Sequence, residues 1–377
     1  MNWKIPLFNI NYGKEEMDAV TEVINSGWLT MGELTKQFER SFAKFIGVQN
    51  AIAVSNGTAA LHLALLSLGI KPGDEVICPS LTFVATVNVI KYVGAIPVFA
   101  DVTGLTDWNI NIESIKKVKT SKTKAIIVVH YGGYPCDMPV ICEYAKREGL
   151  KIVEDCAHAP GAAIESKKVG TWGDVGCFSF FSNKNISTGE GGMITTNHNK
   201  LAKNIRLMRS HGMTSLTLDR YKGHSFDYDV IKLGYNYRIT EITAALGIAQ
   251  LKKVDLNNKK RKEIVEYYRL LLDPFKDIII PFKYYKWESA YHIMPILLPK
   301  YIDRKKIMSY MMKNGIQTSI HYRPVHTFSI YKSIKCKPMP LTEEIGNRVI
   351  TLPLFPNMSF KEVEFVVDTL KKGLMQR

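Results

Sequence analysis

One pattern constrains this chain more than any other: between residues 51 and 180, short apolar runs alternate with longer segments of helical periodicity. The runs are Ala51-Ile52-Ala53-Val54, Glu75-Val76-Ile77-Cys78, Pro97-Val98-Phe99-Ala100, and residues 125–129, 151–154 and 175–180. Between them, residues 58–68 are apolar on most faces, as in a buried helix, and residues 86–93 read as another helix. Strands apolar along their whole length are buried on both faces, and strands separated by helices return in the same direction. The expectation is an α/β domain, a mostly parallel sheet flanked by helices. Ahead of it stand an arm and two amphipathic helices: residues 15–24, stopping at Ser26-Gly27, and residues 34–45, stopping at Gly47.

After Leu251 the rhythm changes. Residues 252–272 read as one long charged helix, with Asn257, Asn258 and the basic run after them on its exposed side. A strand over 289–298, a helix over 304–314 ending at Gly315, and a last helix over 361–374 follow. The expected organisation is an N-terminal arm and large domain over residues 1–250, then a smaller C-terminal α+β domain over residues 251–377. No repeat, low-complexity tract or Gly/Ser linker separates them, so the two parts are expected to pack closely.

Composition removes several classes. Hydrophobic residues make up 46% and charged residues 23%, ordinary globular values that exclude a disordered chain. No apolar run approaches the ~20 residues that cross a bilayer. The opening Met1-Asn2-Trp3-Lys4-Ile5-Pro6-Leu7-Phe8 is too short and too soon interrupted for a secretory signal, so a soluble, cytoplasmic protein is expected, without membrane contact. The six cysteines include no CxxC pair, which points to buried reduced thiols and no metal site. A net charge of +15 invites a polyanion, either nucleic acid or a diphosphate-bearing small molecule. A basic nucleic-acid-binding regulator is the rival class, but no DNA-binding motif or concentrated basic helix accompanies the charge, and no nucleic-acid partner is expected.

Three constellations carry chemistry. Lys184 follows the end of an apolar run and precedes the turn Thr188-Gly189-Glu190-Gly191-Gly192. A lysine partly desolvated in such a place has the lowered pKa that carbonyl chemistry needs, although a lone loop lysine is more often just solvated. Asp155 ends the run before Cys156-Ala157-His158, where open parallel sheets bind ligands. A carboxylate there can keep a pyridine nitrogen protonated, with His158 beside the ring; Asp155 alone reads equally as a helix cap. Ser55-Asn56-Gly57-Thr58 opens a buried helix, whose free N–H groups suit a phosphate. A lysine, a strand-end aspartate and an anion site together describe one cofactor, pyridoxal phosphate.

Longer stretches sharpen this. Gly27-Trp28-Leu29-Thr30, Ser55-Asn56-Gly57-Thr58-Ala59-Ala60-Leu61, the run from Pro79 to Thr86, His130-Tyr131-Gly132 with Asp137-Met138, and the runs 154–158 and 184–192 occur in order. Gly234-Tyr235-Asn236-Tyr237-Arg238 and His321-Tyr322-Arg323-Pro324-Val325-His326 complete the series. The chain thereby resembles the DegT/DnrJ/EryC1/StrS sugar aminotransferases, of the fold-type I, aspartate-aminotransferase-like group of pyridoxal-phosphate enzymes. The resemblance implies that Lys184 bonds the cofactor covalently and shuttles the proton, that Asp155 pairs with the pyridine nitrogen, and that His158 lies beside the ring. It implies Phe83 stacked on the ring, and Gly57, Thr58 and Ser179 on the phosphate. Asn236 would reach the phosphate of a neighbouring subunit, making a homodimer with composite sites. Arg238, His321 and His326 are candidates for substrate contacts, and the polar segment 210–229 for a substrate loop. The implied activity moves the amino group of L-glutamate, leaving 2-oxoglutarate, onto a nucleotide-linked ketosugar. The turn at 188–192 looks more like enzymes acting at C4 of a 4-keto-6-deoxysugar than at C3. Family members that resemble dehydratases carry histidine in place of the lysine; Lys184 argues against that alternative.

Overall fold

The computed structural model describes residues 3–215, 223 and 227–375. Residues 216–222 and 224–226, half of the segment named above as a candidate substrate loop, lie outside the described residues. Two helices, α1 (Lys14–Ser26) and α2 (Glu33–Ile46), precede the sheet, each closed by a glycine in the left-handed region, Gly27 and Gly47. The seven strands of the main sheet are β1 (Asn50–Val54), β2 (Glu75–Pro79), β3 (Ile96–Ala100), β4 (Thr123–Val129), β5 (Lys151–Asp155), β8 (Val175–Ser179) and β9 (Gly192–Thr196). A small hairpin, β6 (Ala163–Ile164) with β7 (Lys167–Lys168), stands apart from it. The order across the sheet is β1-β9-β8-β5-β4-β2-β3.

The pairs from β8 to β3 are parallel, whereas β9 runs antiparallel to both β8 and β1. Two reversals restore the direction, so β1, β5 and β8 all end at the same edge of the sheet. Register then aligns their ends: Val54 and Ser179 both face Gly192, and Asp155 faces Cys177. Helices α3 (Gly57–Ser67), α4 (Ala85–Tyr92) and α7 (Asn199–Arg209) share one buried core with the sheet, and α5 (Ile112–Val118) and α6 (Met138–Glu148) share another. The apolar α3 is buried along nearly its whole length, as its sequence requires.

The strand β9 was not expected: Gly192-Met193-Ile194-Thr195-Thr196 has only two large apolar residues, yet all five are buried. The expected long helix over 252–272 is present as α9 (Val254–Leu272), two residues shorter at its start, and follows a separate helix, α8 (Glu241–Leu251). Asn257 and Arg261 are buried, a correction to the exposed face expected for them. Polar partners explain the burial: Asn257 Oδ1 accepts from Asn11 of the N-terminal arm at 2.8 Å, and Arg261 Nη1 donates to the carbonyls of His292 and Leu354. The strand expected over 289–298 shrinks to β10 (Met294–Leu297), antiparallel to β11 (Val349–Leu352). Helix α10 (Arg304–Lys313), α11 (Pro340–Arg348) and α12 (Phe360–Met375) surround this pair. The core there also takes in Leu81, Trp108, Tyr131 and Tyr134 from earlier in the chain, so apolar packing is continuous. Ile5 of the arm bridges to Ile316. Of the thiols, Cys142 is half-buried and Cys336 exposed, against the expectation that all are buried. No helix of the described residues is long and apolar enough to cross a membrane.

Candidate active site

A cavity of about 530 Å3 opens where β1, β5 and β8 end, and its walls include Gly57, Thr58, Phe83, Asp155, His158, Ser179, Lys184 and His321. Eight of the candidates from the sequence therefore meet in one place, although they span 265 positions of chain between the first and last of them.

Each is set by a simple local device. Asn56 caps α3 by accepting Ala59 N–H at 2.8 Å, which leaves the amides of Gly57 and Thr58 without intrahelical acceptors. Gly57 lies so close to β8 that a Cβ there would stand 2.8 Å from Ser179 Cβ. The turn and Ser179 thus form a cradle that only glycine leaves open. Asp155 is buried at the end of β5, where Oδ2 accepts from Thr86 Oγ1 at 2.9 Å and Oδ1 from Ala157 N–H at 3.1 Å. Burial pushes its carboxyl up from the ordinary range, opposed by those two hydrogen bonds and by the charge of Lys184. Burial lowers the Lys184 ammonium to about 8, and the attraction of Asp155 holds it from falling further.

The histidines are neutral partners. Burial, with the nearby Lys184 charge, holds His158 well below its usual pKa and His321 down to about 4. Gly132 N–H donates to His158 Nδ1 at 3.3 Å, so the other nitrogen, Nε2, carries the proton and donates to Tyr322 Oη at 2.9 Å. That leaves the Tyr322 hydroxyl proton available to the cavity. His321 Nδ1 pairs with Thr351 Oγ1 at 2.9 Å.

Three candidates stand outside the cavity. Asn236 is exposed, and its backbone bridges to Ser210. Arg238 is half-buried, its pKa lowered by burial and by the neighbouring Arg209. His326 shares a hydrogen bond with Ser80 Oγ at 2.7 Å and lies 3.5 Å from Glu343. Conversely, Thr86, Asn183, Tyr237 and Tyr322 line the cavity and were not singled out. Thr86, Tyr237 and Tyr322 sat inside quoted runs; nothing in their spacing said which side chains would turn inward.

A half-buried lysine facing a buried aspartate at the mouth of a parallel sheet, beside an anion cradle, defines a pyridoxal-phosphate enzyme of fold type I. Comparison narrows the class: the profile of the DegT/DnrJ/EryC1/StrS aminotransferase family matches residues 11–371. The chain belongs to this family, whose members are pyridoxal-phosphate-dependent aminotransferases. It is 39% identical over 376 residues to GDP-perosamine synthase of Escherichia coli O157:H7, covering 98% of each chain. It is also 39% identical over 371 residues to the spore coat polysaccharide biosynthesis protein SpsC of Bacillus subtilis (strain 168), covering 95% of this chain and 94% of that one. Among solved structures it superposes on Helicobacter pylori PseC, an aminotransferase involved in the biosynthesis of pseudoaminic acid, with TM-score 0.91, 30% identity and 99% of each chain covered. The PLP form of the putative sugar aminotransferase Spr1654 from Streptococcus pneumoniae gives TM-score 0.89 at 28% identity, over 99% of this chain and 98% of that one.

The residues present fit the cofactor. The cradle of Gly57, Thr58 and Ser179 offers amide and hydroxyl donors to a phosphate, and Asp155 offers an acceptor to a pyridine N–H. The lowered pKa of Lys184 supplies neutral amine for a carbonyl.

Proposed function

We propose that this protein transfers the amino group of L-glutamate to C4 of a nucleotide-linked 4-keto-6-deoxysugar, as a homodimer. The observation that carries the transfer chemistry is the meeting of Lys184, Asp155 and the Gly57 turn in a single cavity. The names of the relatives, a GDP-perosamine synthase and a pseudoaminic acid aminotransferase, support a sugar acceptor, and SpsC supports a place in polysaccharide biosynthesis. The division into residues 1–250 and 251–377 belongs to the same reading: the boundary falls at the end of α8, and the cavity takes His321 and Tyr322 from beyond it.

When bound, pyridoxal phosphate supplies an electron sink for the pair left on the donor's Cα when its proton departs. The chain does the rest. Lys184 Nζ, neutral in a useful fraction because its pKa is near 8, takes that proton and redelivers it on the other side of the transfer. Asp155 is held by Thr86 and Ala157 so that a lone pair remains for the pyridine N–H. Gly57, Thr58 and Ser179 would hold the phosphate, and Phe83, 58% exposed at the cavity wall, would cover the ring. His158 positions Tyr322, and His321 faces the substrate side; Arg238 and His326, outside the cavity, are weaker substrate contacts. Asn236, exposed in the single chain, would reach the phosphate in the partner subunit's cavity.

The test is spectroscopic. The purified protein should absorb near ~410–420 nm, lose that band on adding L-glutamate, and regain it with the correct ketosugar nucleotide. A protein that bleaches with glutamate but recovers with no 4-ketosugar would place the acceptor elsewhere.

A further inference from the structure

A second cavity, of about 350 Å3, lies between α2 and α7 against the outer edge of β1, and shares no wall residue with the active cavity. Its charged walls are Lys36, Glu39, Arg40, Arg206 and Arg209, four cations and one anion. Part of this set has a structural task. As the edge strand of the sheet, β1 has unpaired backbone groups on its outer side. Glu39 accepts from Ala53 N–H at 2.9 Å, while Arg209 Nη1 donates to Ala53 O at 2.8 Å and to Glu39 at 2.6 Å. That pair closes the strand edge and balances its own charge.

Edge capping leaves the remaining cations unexplained. Arg209 is 3% exposed, yet its Nε has no hydrogen-bond partner among the described residues. Arg206 reaches Asn50 Oδ1 and Ala51 O only at 3.4 Å. Arg40 makes no hydrogen bond or ion pair among the described residues, and the ion pair of Lys36 with Glu33 spans 3.4 Å at the surface, where water screens it. Arg40, unpartnered among the described residues, and Lys36 and Arg206, each with only long contacts, therefore line a space far larger than one water. Guanidinium groups present forked donors that match phosphate oxygens, and a cavity walled by them favours such an anion over a neutral occupant.

We propose that this cavity binds a small phosphate-bearing anion, held by Arg40, Arg206 and Lys36, at a site separate from that of the cofactor. The experiment uses holoenzyme whose cofactor has been fixed by borohydride reduction, so that the cofactor's phosphate cradle is already filled. Calorimetric titration with inorganic pyrophosphate should show a site that Arg40→Glu deletes or weakens by about tenfold or more. Arg147→Glu, an equal charge reversal on an exposed arginine of α6, should leave that site intact. Arg40 is exposed and unbonded, so its reversal should not disturb the fold. The proposal is overturned by an absence of binding, by an isotherm unchanged in Arg40→Glu, or by equal weakening in Arg147→Glu.

Discussion

At the scale of single residues, burial of Lys184 is the controlling fact. Its folded pKa of about 8 lies below the ordinary value of 10.5, so between those values the unfolded chain holds a proton that the native chain has lost. Stability of the cofactor-free protein should therefore rise with pH across that window, and the full penalty applies below it. Replacing the ammonium by an apolar side chain removes the penalty: Lys184→Met should stabilise the cofactor-free protein by about 3 kcal/mol at pH 7, with the gain fading toward pH 10.5. Denaturant midpoints of both proteins at pH 7 and 10 would decide it; a gain independent of pH would mean that the lysine is solvated. Asp155→Asn should keep the fold, because the amide oxygen can still accept from Ala157 N–H while the amide NH2 donates to the Thr86 hydroxyl, which accepts as readily as it donates. It should lose transamination by about a hundredfold or more, having no charge to hold the pyridinium. Near wild-type turnover would reduce Asp155 to a turn residue.

At the scale of elements, two contacts fix what surrounds the site. The first turn of α2 has only Gly32 as its cap and borrows a carboxylate from α8. Glu241, 3% exposed, accepts from the amides of Gly32, Leu34 and Thr35 and from the Thr35 hydroxyl, at 2.6 to 2.9 Å. Glu241→Ala strands buried donors and should cost about 2–4 kcal/mol in urea melts, against little loss for a change at exposed Glu33. The second contact is α3 on β8. Gly57→Ala puts a methyl 2.8 Å from Ser179 Cβ, and an overfilled contact of this kind costs about 1–3 kcal/mol. Because the displaced atoms are the phosphate cradle itself, cofactor affinity, read from the absorbance of the reconstituted enzyme, should fall alongside stability.

At the scale of the whole molecule, the proposed homodimer is tested through Asn236. Each site would combine Lys184 of one chain with Asn236 of the other. Asn236→Glu places a negative charge beside the phosphate and Lys184→Ala removes the acid–base group, so each homodimer should be inactive. In a mixed dimer one site collects both changes and the other neither, and random pairing leaves roughly a quarter of all sites intact. Co-expression should restore activity of that order. Verified heterodimers without activity would show that Asn236 does not act across an interface.

The alternation of apolar runs and helical segments was enough to expect the parallel sheet, because strand burial and crossover handedness leave few other arrangements. Asp155 and the Gly57 turn were equally legible, since a strand end and a helix start aim them by backbone geometry, and Lys184 was legible from the glycine-rich turn that follows it after β8. What lay beyond the sequence was decided by partners distant in the chain. β9 is a strand because β1 and β8 both pair with it, at little apolar content of its own. Asn257 and Arg261 are inside because the arm and the loops at His292 and Leu354 satisfy them, whereas their own helix pattern put them in water. Tyr322 acquires its place from His158, and His326 loses a place in the cavity to Ser80 and Glu343. Local periodicity and strand ends are properties of a few consecutive residues; the burial of a polar group depends on whether another part of the chain arrives to bond it, and only the folded structure contains that contact.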